Sequence, residues 1–489
     1  MMHLTVEQLA QATGGQLVGG DAGAVVTSVV TDSRQAGAGS LFVAIKGRRA
    51  DGHDFVRSVA EQGAAAALVD HRVPDADIAQ IVVADTVAAL GAVAHANVEA
   101  RRASQDPFTV VALTGSVGKT TTKDLLRDIL ATQAPTVAPI GSFNNEIGLP
   151  LTATQVCDDT RYLIAEMGAS AMGEIRRLTS IVRPDVAIVL KVGVAHLGGF
   201  GSVENIRKAK SEIVQALPAD GIAILNADDP RVATMEDMTQ ATDVRWFGID
   251  ESNHACDVRA ENIDVDSEDR PVFDLVAGGD RASVRLALRG RHNVMNALAA
   301  TTAALALGVP FADIVTVLGS HAAESPHRMA VSTVTRSVDG TDVSFTLIDD
   351  SFNANPDSMK AGLDGLAEWH AGAGQDRPYR VAVLGAMLEL GEDDAAKHRD
   401  IGAYCVERGI DALIAVGGDD DNLNRLAQAF ADGATQADAK HLMHVTRVRS
   451  ADEADAEVMR IVAMHPRATV LLKGSHASGL SALASRWTD

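Results

Sequence analysis

The stretch Phe108-Thr-Val-Val-Ala-Leu-Thr114, followed at once by Gly115-Ser116-Val117-Gly118-Lys119-Thr120-Thr121, decides the fold. Its first part reads as an apolar strand, Thr122 to Leu130 behind it has the spacing of a helix, and the glycines lie at the turn between them. Such a turn folds its N–H groups around phosphate oxygens, Lys119 can meet the β and γ oxygens, and the Thr120 hydroxyl suits magnesium. Leu113 stands where the longer G-x-x-x-x-G-K-[ST] pattern begins, leaving the shorter G-x-x-G-K-T form. The strand before and the helix after favour a nucleotide site over an ordinary glycine-rich turn. A phosphate loop specifies phosphate handling and not the acceptor, so kinase, GTPase-like switch and ligase all stay open here.

Working outward, further strands are expected at Tyr162 to Glu166, Val186 to Lys191 and Ile222 to Asn226, separated by helical patterns. That alternation predicts a parallel sheet with helices on both faces. A polar break at Ser104 to Pro107 separates it from a smaller α/β unit, with a helix at Leu4 to Thr13 and strands at Gln16 to Val18, Val25 to Thr31, Ser40 to Ile45, Ala65 to Val69 and Gln80 to Val83. Thr242 to Leu288 is β-rich, and Asn293 to Leu307 is an Ala-rich helix. Beyond Ala322 the alternation resumes, with strands at Thr346 to Asp349, Arg380 to Leu384, Ala412 to Val416 and Ala468 to Leu472. The expectation is therefore an α/β protein of three domains, 1–104, 105–322 and 323–489: a small α/β unit, a central P-loop sheet and a Rossmann-like unit.

At 489 residues, with 46% hydrophobic and 22% charged, the chain can bury several cores and is not disordered. A net charge of −22 repels a nucleic-acid backbone, so no nucleic-acid partner is expected. The start Met1-Met-His-Leu-Thr-Val-Glu7 lacks a basic, apolar leader, and no apolar run reaches membrane-spanning length, so a cytoplasmic protein without membrane insertion is expected. Cys157, Cys256 and Cys405 have no metal-ligand spacing and are read as inert.

Several residues outside the loop bear on the same chemistry. Glu166 ends a strand at the edge where open α/β sheets place ligands, so its carboxylate can hold magnesium near Lys119. Asn293 and Asn296 are spaced i, i+3 and face one side of a helix, toward the nucleotide. Arg328, near the expected hinge, can neutralise charge on the γ-phosphate after closure. Asp350 suits the ribose hydroxyls, with Asp349 its rival.

Gly141-Ser-Phe-Asn-Asn-Glu-Ile-Gly-Leu-Pro150, Glu166-Met-Gly168, Ala195-His-Leu-Gly-Gly-Phe-Gly201, Gly290-Arg-His-Asn-Val-Met-Asn-Ala297, Pro326-His-Arg328 and Asp349-Asp-Ser-Phe-Asn-Ala-Asn-Pro356 occur in collinear order. Together with Thr31-Asp-Ser-Arg34, Leu41-Phe-Val-Ala-Ile-Lys-Gly47 and Asp51-Gly-His53, they resemble the Mur ligases over essentially the whole chain. The NNEIG and NANP segments look like the MurF type, and the D-N-P-R motif expected of the MurE type is absent.

The resemblance implies an ATP- and Mg2+-dependent amide ligase of peptidoglycan precursor synthesis, joining D-alanyl-D-alanine to a UDP-N-acetylmuramoyl tripeptide through an acyl phosphate, and a monomer is expected. Other ligases of the family, folylpolyglutamate-synthase-like enzymes and a non-catalytic ATP switch are the alternatives. It implies that His196 joins Thr120 and Glu166 as a metal ligand, and that Lys210, within Ile206-Arg-Lys-Ala-Lys-Ser-Glu-Ile213, carries a carbamate near a second magnesium, with Lys208 as rival and a solvated cation paired to Glu212 or Glu204 as the plain alternative. Ser33 and Arg34 are implied to contact the uridine diphosphate, Asn144 and Asn145 the substrate, and Lys473 a substrate carboxylate. The chain departs from the family pattern at Lys191, where asparagine is expected, at Ala386, where aspartate is, and at His476, where arginine is.

Overall fold

The computed structural model describes residues 1–47, 50–250, 256–321, 327–338, 340–370 and 377–488. The expected boundary near 322, with Glu324, and Pro326 of the Pro326-His-Arg328 motif fall outside the described residues.

The strand Thr109–Thr114 lies between Val186–Val189 and Tyr162–Glu166 in a nine-stranded sheet. Pairing is parallel from Thr136–Val137 at one edge to Val258–Val265, after which Pro271–Ala277 and Asp280–Arg285 add an antiparallel edge. Alternate side chains of the central strand enter different cores. Val111 and Leu113 pack with Leu125, Ile129, Leu298 and Ala300, whereas Val110 and Ala112 pack with Leu149, Ile175 and Ile213. A parallel sheet covered on both faces produces such continuous apolar strands. Register puts Glu166 opposite Leu113 and Val189 opposite Thr114, so both neighbouring strands end level with the glycine-rich turn.

The first unit holds a five-stranded sheet in the order Gln16–Val18, Ala79–Val82, Ala66–Val69, Ser40–Val43, Ser28–Val30. Two expectations are corrected here. Val25 to Thr31 is not one strand but Val25–Val26, paired with Leu4–Thr5, and Ser28–Val30. The first helix is Val6–Thr13, because Thr5 caps it, its hydroxyl accepting from Gln8 N while the Gln8 side chain accepts from Thr5 N. The helix Thr86–Arg102 fastens this unit to the central one: Asn97, fully buried, donates to Ala153 O and Val156 O at 3.0 and 2.9 Å, and its Oδ1 accepts from Met2 N.

The last unit is a six-stranded sheet in the order Ala330–Val338, Thr341–Asp350, Ala468–Lys473, Tyr379–Gly385, Ala412–Val416, His444–Val448, parallel except for its first pair. Thr341–Asp350 is longer than the expected Thr346 to Asp349 because it forms a hairpin with Ala330–Val338. Asp350 and Lys473 sit side by side in register at the carboxyl ends of their strands.

Candidate active site

A cavity of about 1680 Å³ opens where the central and C-terminal sheets face each other, and the whole turn Gly115 to Thr121 lines it. Gly118 precedes the helix Lys119–Ala131 in the left-handed region at φ 84°. A side chain there would strain the backbone, and its Cβ would lie 2.2 Å from Asn296 Oδ1. Lys119 Nζ donates to Gly115 O at 2.7 Å, folding the ammonium back over the loop. Burial lowers the Lys119 pKa, with Glu166 opposing the shift. Ser116 is tied at both ends: its N–H donates to Lys191 O, and its hydroxyl accepts from Gly193 N at 2.9 Å. Open N–H groups at a helix start make this part of the cavity an anion site.

Glu166 is fully buried at its strand end. Its Oε1 accepts from Asn144 Nδ2 at 2.7 Å and from the Thr120 hydroxyl at 3.4 Å, while its Oε2 has no partner among the described residues. A buried carboxylate oxygen left without a donor is costly. Beside a threonine hydroxyl, it is the kind of oxygen set that a hard divalent cation takes.

Lys210, on the helix Val203–Gln215, is buried and makes no hydrogen bond or ion pair among the described residues. Burial, then the charge of Lys119, pushes its pKa well down. The solvated-cation alternative is thereby corrected: Glu212 accepts from Gly173 N and Arg176 N, and Glu204 pairs with Arg207. The rival Lys208 is exposed and does not line the cavity, whereas Lys210 does.

Several contacts join the central and C-terminal units across the cavity. Arg328 Nη2 donates to Ser142 Oγ at 3.0 Å, and Ser142 Oγ lies 3.0 Å from Thr120 Oγ1. Lys191 Nζ pairs with Asp357 Oδ1 at 3.3 Å, so the residue that departs from the family pattern holds the helix Pro356–Glu368. His196 lines the cavity but pairs through Nδ1 with Glu389 of the C-terminal unit, and Gly198 N donates to Glu389 O at 3.0 Å.

Asn293 and Asn296 both line the cavity and bond to each other, Asn296 Nδ2 donating to Asn293 Oδ1 at 2.7 Å. Asn296 Oδ1 also accepts from the Thr122 hydroxyl at 3.3 Å, so the pair braces the phosphate loop. Asp350 lines the cavity, while its rival Asp349 is held by His327 Nδ1 and the Ser351 hydroxyl.

The remaining expected contacts have partners of their own within the chain. Lys473 lines the cavity but is buried, with its ammonium on the Asp350 carboxylate and Asn353 O, which places it to orient Asp350. Asn144 is drawn inward to Glu166, and Asn145 Oδ1 instead caps the turn into Gly148–Ala153 by accepting from Gly148 N at 2.8 Å. Ser33 and Arg34 do not line the cavity. They form a short 3-10 turn capped by Asp32, whose carboxyl the Arg34 guanidinium holds down to about 2. Ala386 is buried, its carbonyl accepting from Ser475 N, and His476 is exposed. None of the three cysteines lines the cavity, and burial pushes the Cys405 thiol up to about 12.

Sequence reasoning did not single out Ser142, Phe352, Asp357 or Glu389. Ser142 and Phe352 lie inside the quoted Gly141 to Pro150 and Asp349 to Pro356 segments, which was the available signal.

The chain matches three family models: "Mur ligase family, catalytic domain" over residues 25–109, "Mur ligase middle domain" over 113–304 and "Mur ligase, glutamate ligase domain" over 327–476. It is 39% identical to a UDP-N-acetylmuramoyl-tripeptide--D-alanyl-D-alanine ligase of Mycobacterium tuberculosis, covering 99% of this chain and 97% of that protein. A crystal structure of MurF from Acinetobacter baumannii superposes with a TM-score of 0.83 at 33% identity, covering 100% of this chain and 99% of the other. MurF ligase from Thermotoga maritima in complex with ADP gives 0.75 at 26% identity, covering 94% and 97%. The chain belongs to the Mur ligase family, and within it to the MurF type.

Proposed function

We infer that the protein uses ATP to join D-alanyl-D-alanine to a UDP-N-acetylmuramoyl tripeptide, a step of peptidoglycan precursor synthesis. The observation that carries the reading is the meeting of Lys119, Glu166 and Lys210 from the central sheet with Arg328 from the C-terminal unit around one cavity.

A free carboxylate is a poor electrophile, so the tripeptide's terminal carboxylate first takes the γ-phosphoryl of ATP and becomes an acyl phosphate. The dipeptide amine then attacks the acyl carbon, phosphate leaves, and an amide remains. Loop N–H groups and Lys119 orient the phosphates, while Arg328 places a second fixed charge against the transferring group. Asn293 and Asn296 hold the loop against the nucleotide, and Asp350, oriented by Lys473, accepts from the ribose. The central and C-terminal sheets exclude water that would hydrolyse the acyl phosphate.

The donor set fits magnesium: Thr120, Glu166 and His196 would hold it, joined by Lys210 once that amine carries a carbamate. Bound there, it would neutralise charge on the phosphoryl group. The low pKa of the buried Lys210 amine supports carbamate formation, which needs an uncharged nitrogen. In the same reading residues 1–104 take the uridine diphosphate end through Ser33 and Arg34, 105–322 take ATP, and 323–489 take the dipeptide. Among the described residues no helix is long and apolar enough to cross a membrane, and use of ATP favours the cytoplasm.

Phosphate release from ATP should require both the UDP-muramoyl tripeptide and D-alanyl-D-alanine, with L-alanyl-L-alanine far poorer because the wrong stereochemistry leaves polar groups unpaired. Release with neither substrate would indicate an ATP switch. Equal rates with a free diamino acid would indicate a MurE-type enzyme.

A further inference from the structure

Phe352 is a large apolar side chain left 37% exposed at the wall of the cavity. Its ring lies beneath the Arg328 guanidinium, whose central carbon stands 4.2 Å from the ring centroid. The backbone around Arg328 is unusual as well. His327 and Met329 on either side both occupy the left-handed region, at φ 60° and 51°. Residues with a Cβ adopt that region at a cost, so two of them around one arginine persist only where their surroundings impose it. Those surroundings are the end of the strand Thr341–Asp350: Asp349 accepts from His327 Nδ1 at 2.7 Å, and Phe352 N donates to His327 O at 3.1 Å. One short segment therefore fixes both the backbone and the side chain of Arg328.

The choice of an aromatic partner has a chemical consequence. A carboxylate against the guanidinium would neutralise it and use the N–H edges that meet phosphate oxygens. A ring face attracts the cation through its quadrupole and fixes the plane while leaving those edges free. Among the described residues Arg328 makes no ion pair, and its one hydrogen bond goes to Ser142 beside Thr120 of the phosphate loop.

We propose that Phe352 is a positioning residue, whose ring holds the Arg328 guanidinium flat so that its N–H edge faces the phosphate end of the nucleotide site. The proposal rests on the reading that Arg328 acts on the transferring phosphoryl.

The test is a double-substitution cycle on the full-length enzyme, with kcat and both KM values measured and melting temperatures compared. Phe352→Leu should lower kcat about tenfold, equivalent to about 1.4 kcal/mol, with the KM for the dipeptide unchanged. Phe352→Tyr and Phe352→Trp, which keep the ring face, should stay within about twofold of the parent. In an Arg328→Ala background Phe352→Leu should add nothing. If Phe352→Leu fails to fold, Phe352→Met makes the same comparison. Parental kcat in Phe352→Leu beside a collapsed Arg328→Ala would overturn the proposal and leave the role of Arg328 standing. An equal loss in both backgrounds would also overturn it, since Phe352 would then act independently of the arginine. Parental turnover in Arg328→Ala would remove both the proposal and the reading beneath it.

Discussion

Lys119, half-buried, and Lys210, buried, are two amines near enough for the charge of one to bear on the other, and the difference between them is their company. Lys119 has a hydrogen bond to Gly115 O and the field of Glu166, while Lys210 has neither a bond nor an ion pair among the described residues. Burial and the nearby charge of Lys119 therefore disfavour the ammonium form of Lys210 and push its pKa well down. Lys119→Ala should leave the fold intact and cut turnover on the order of a thousandfold, as removal of a phosphoryl-transfer cation does; a steady-state assay with a melting curve checks both. Lys210→Ala should abolish turnover, with partial recovery on adding short carboxylates that replace the oxygens of a carbamate. Unimpaired turnover would take Lys210 out of the site. The phosphate loop was legible in the sequence because a strand, glycines, a lysine and a helix stand in one local run. The partners of Lys191 and His196 were not, because Asp357 and Glu389 are brought to them only by the docking of one unit on another, and Lys473 meets Asp350 only through the pairing of two strands far apart in the sequence.

The elements most easily read were those buried on both faces, such as Tyr162–Glu166 and Ala412–Val416, whose every residue is buried. Those missed lie at sheet edges: Thr136–Val137, Ala330–Val338 and His444–Val448. An edge strand half-open to water needs no continuous apolar run, and His444-Val-Thr-Arg-Val448 shows none. The loop Ala386 to Gly391 is set by an element behind it. His398, fully buried on the helix Asp394–Glu407, accepts from Met387 N at 2.9 Å and donates through Nδ1 to Asp394 O at 2.7 Å. The bond from Met387 N requires a neutral imidazole with Nε2 unprotonated, and burial, the largest cause, lowers its pKa to about 4. The folded value lies below the unfolded one of about 6.5, so this stabilisation is complete above pH ~6.5 and is lost as pH falls toward ~4, to a total on the order of 3 kcal/mol. Urea unfolding at pH 7.5 and 4.5 should show that loss in the parent and not in His398→Asn. Parallel pH profiles would refute the assignment.

Across the whole molecule, two ion pairs between the central and C-terminal units are weak ones. Lys191–Asp357 and His196–Glu389 are each about half-exposed, and such pairs contribute about 0–1 kcal/mol. Against them stands a group that opposes the contact. Asp269, on the turn between Val258–Val265 and Pro271–Ala277, is 2% exposed, and its Oδ2 has no partner among the described residues. That oxygen packs on Gly365 of the helix Pro356–Glu368, where an added Cβ would lie 2.6 Å away and would have to displace it. The charges facing it are mostly of its own sign: Asp266 from its own turn, Glu368 and Asp364 from the helix, with Arg289 opposing them. Burial first and these acids second raise its pKa to about 7. A carboxyl with a raised folded pKa carries no penalty below the unfolded value of about 3.9; the penalty grows as pH rises to about 7 and is constant above, at up to ~4 kcal/mol. Asp269→Asn keeps the shape, tolerates the φ of 58° at this position and cannot ionise. The variant should match the parent near pH 4 and unfold at higher denaturant near pH 8. Because separation of the two units would return this carboxyl to water, the parent should also expand more than the variant between pH 6 and 8 in small-angle scattering. A variant whose stability and radius follow the parent at every pH would show that Asp269 is satisfied where it lies and that the contact between the units carries no proton linkage.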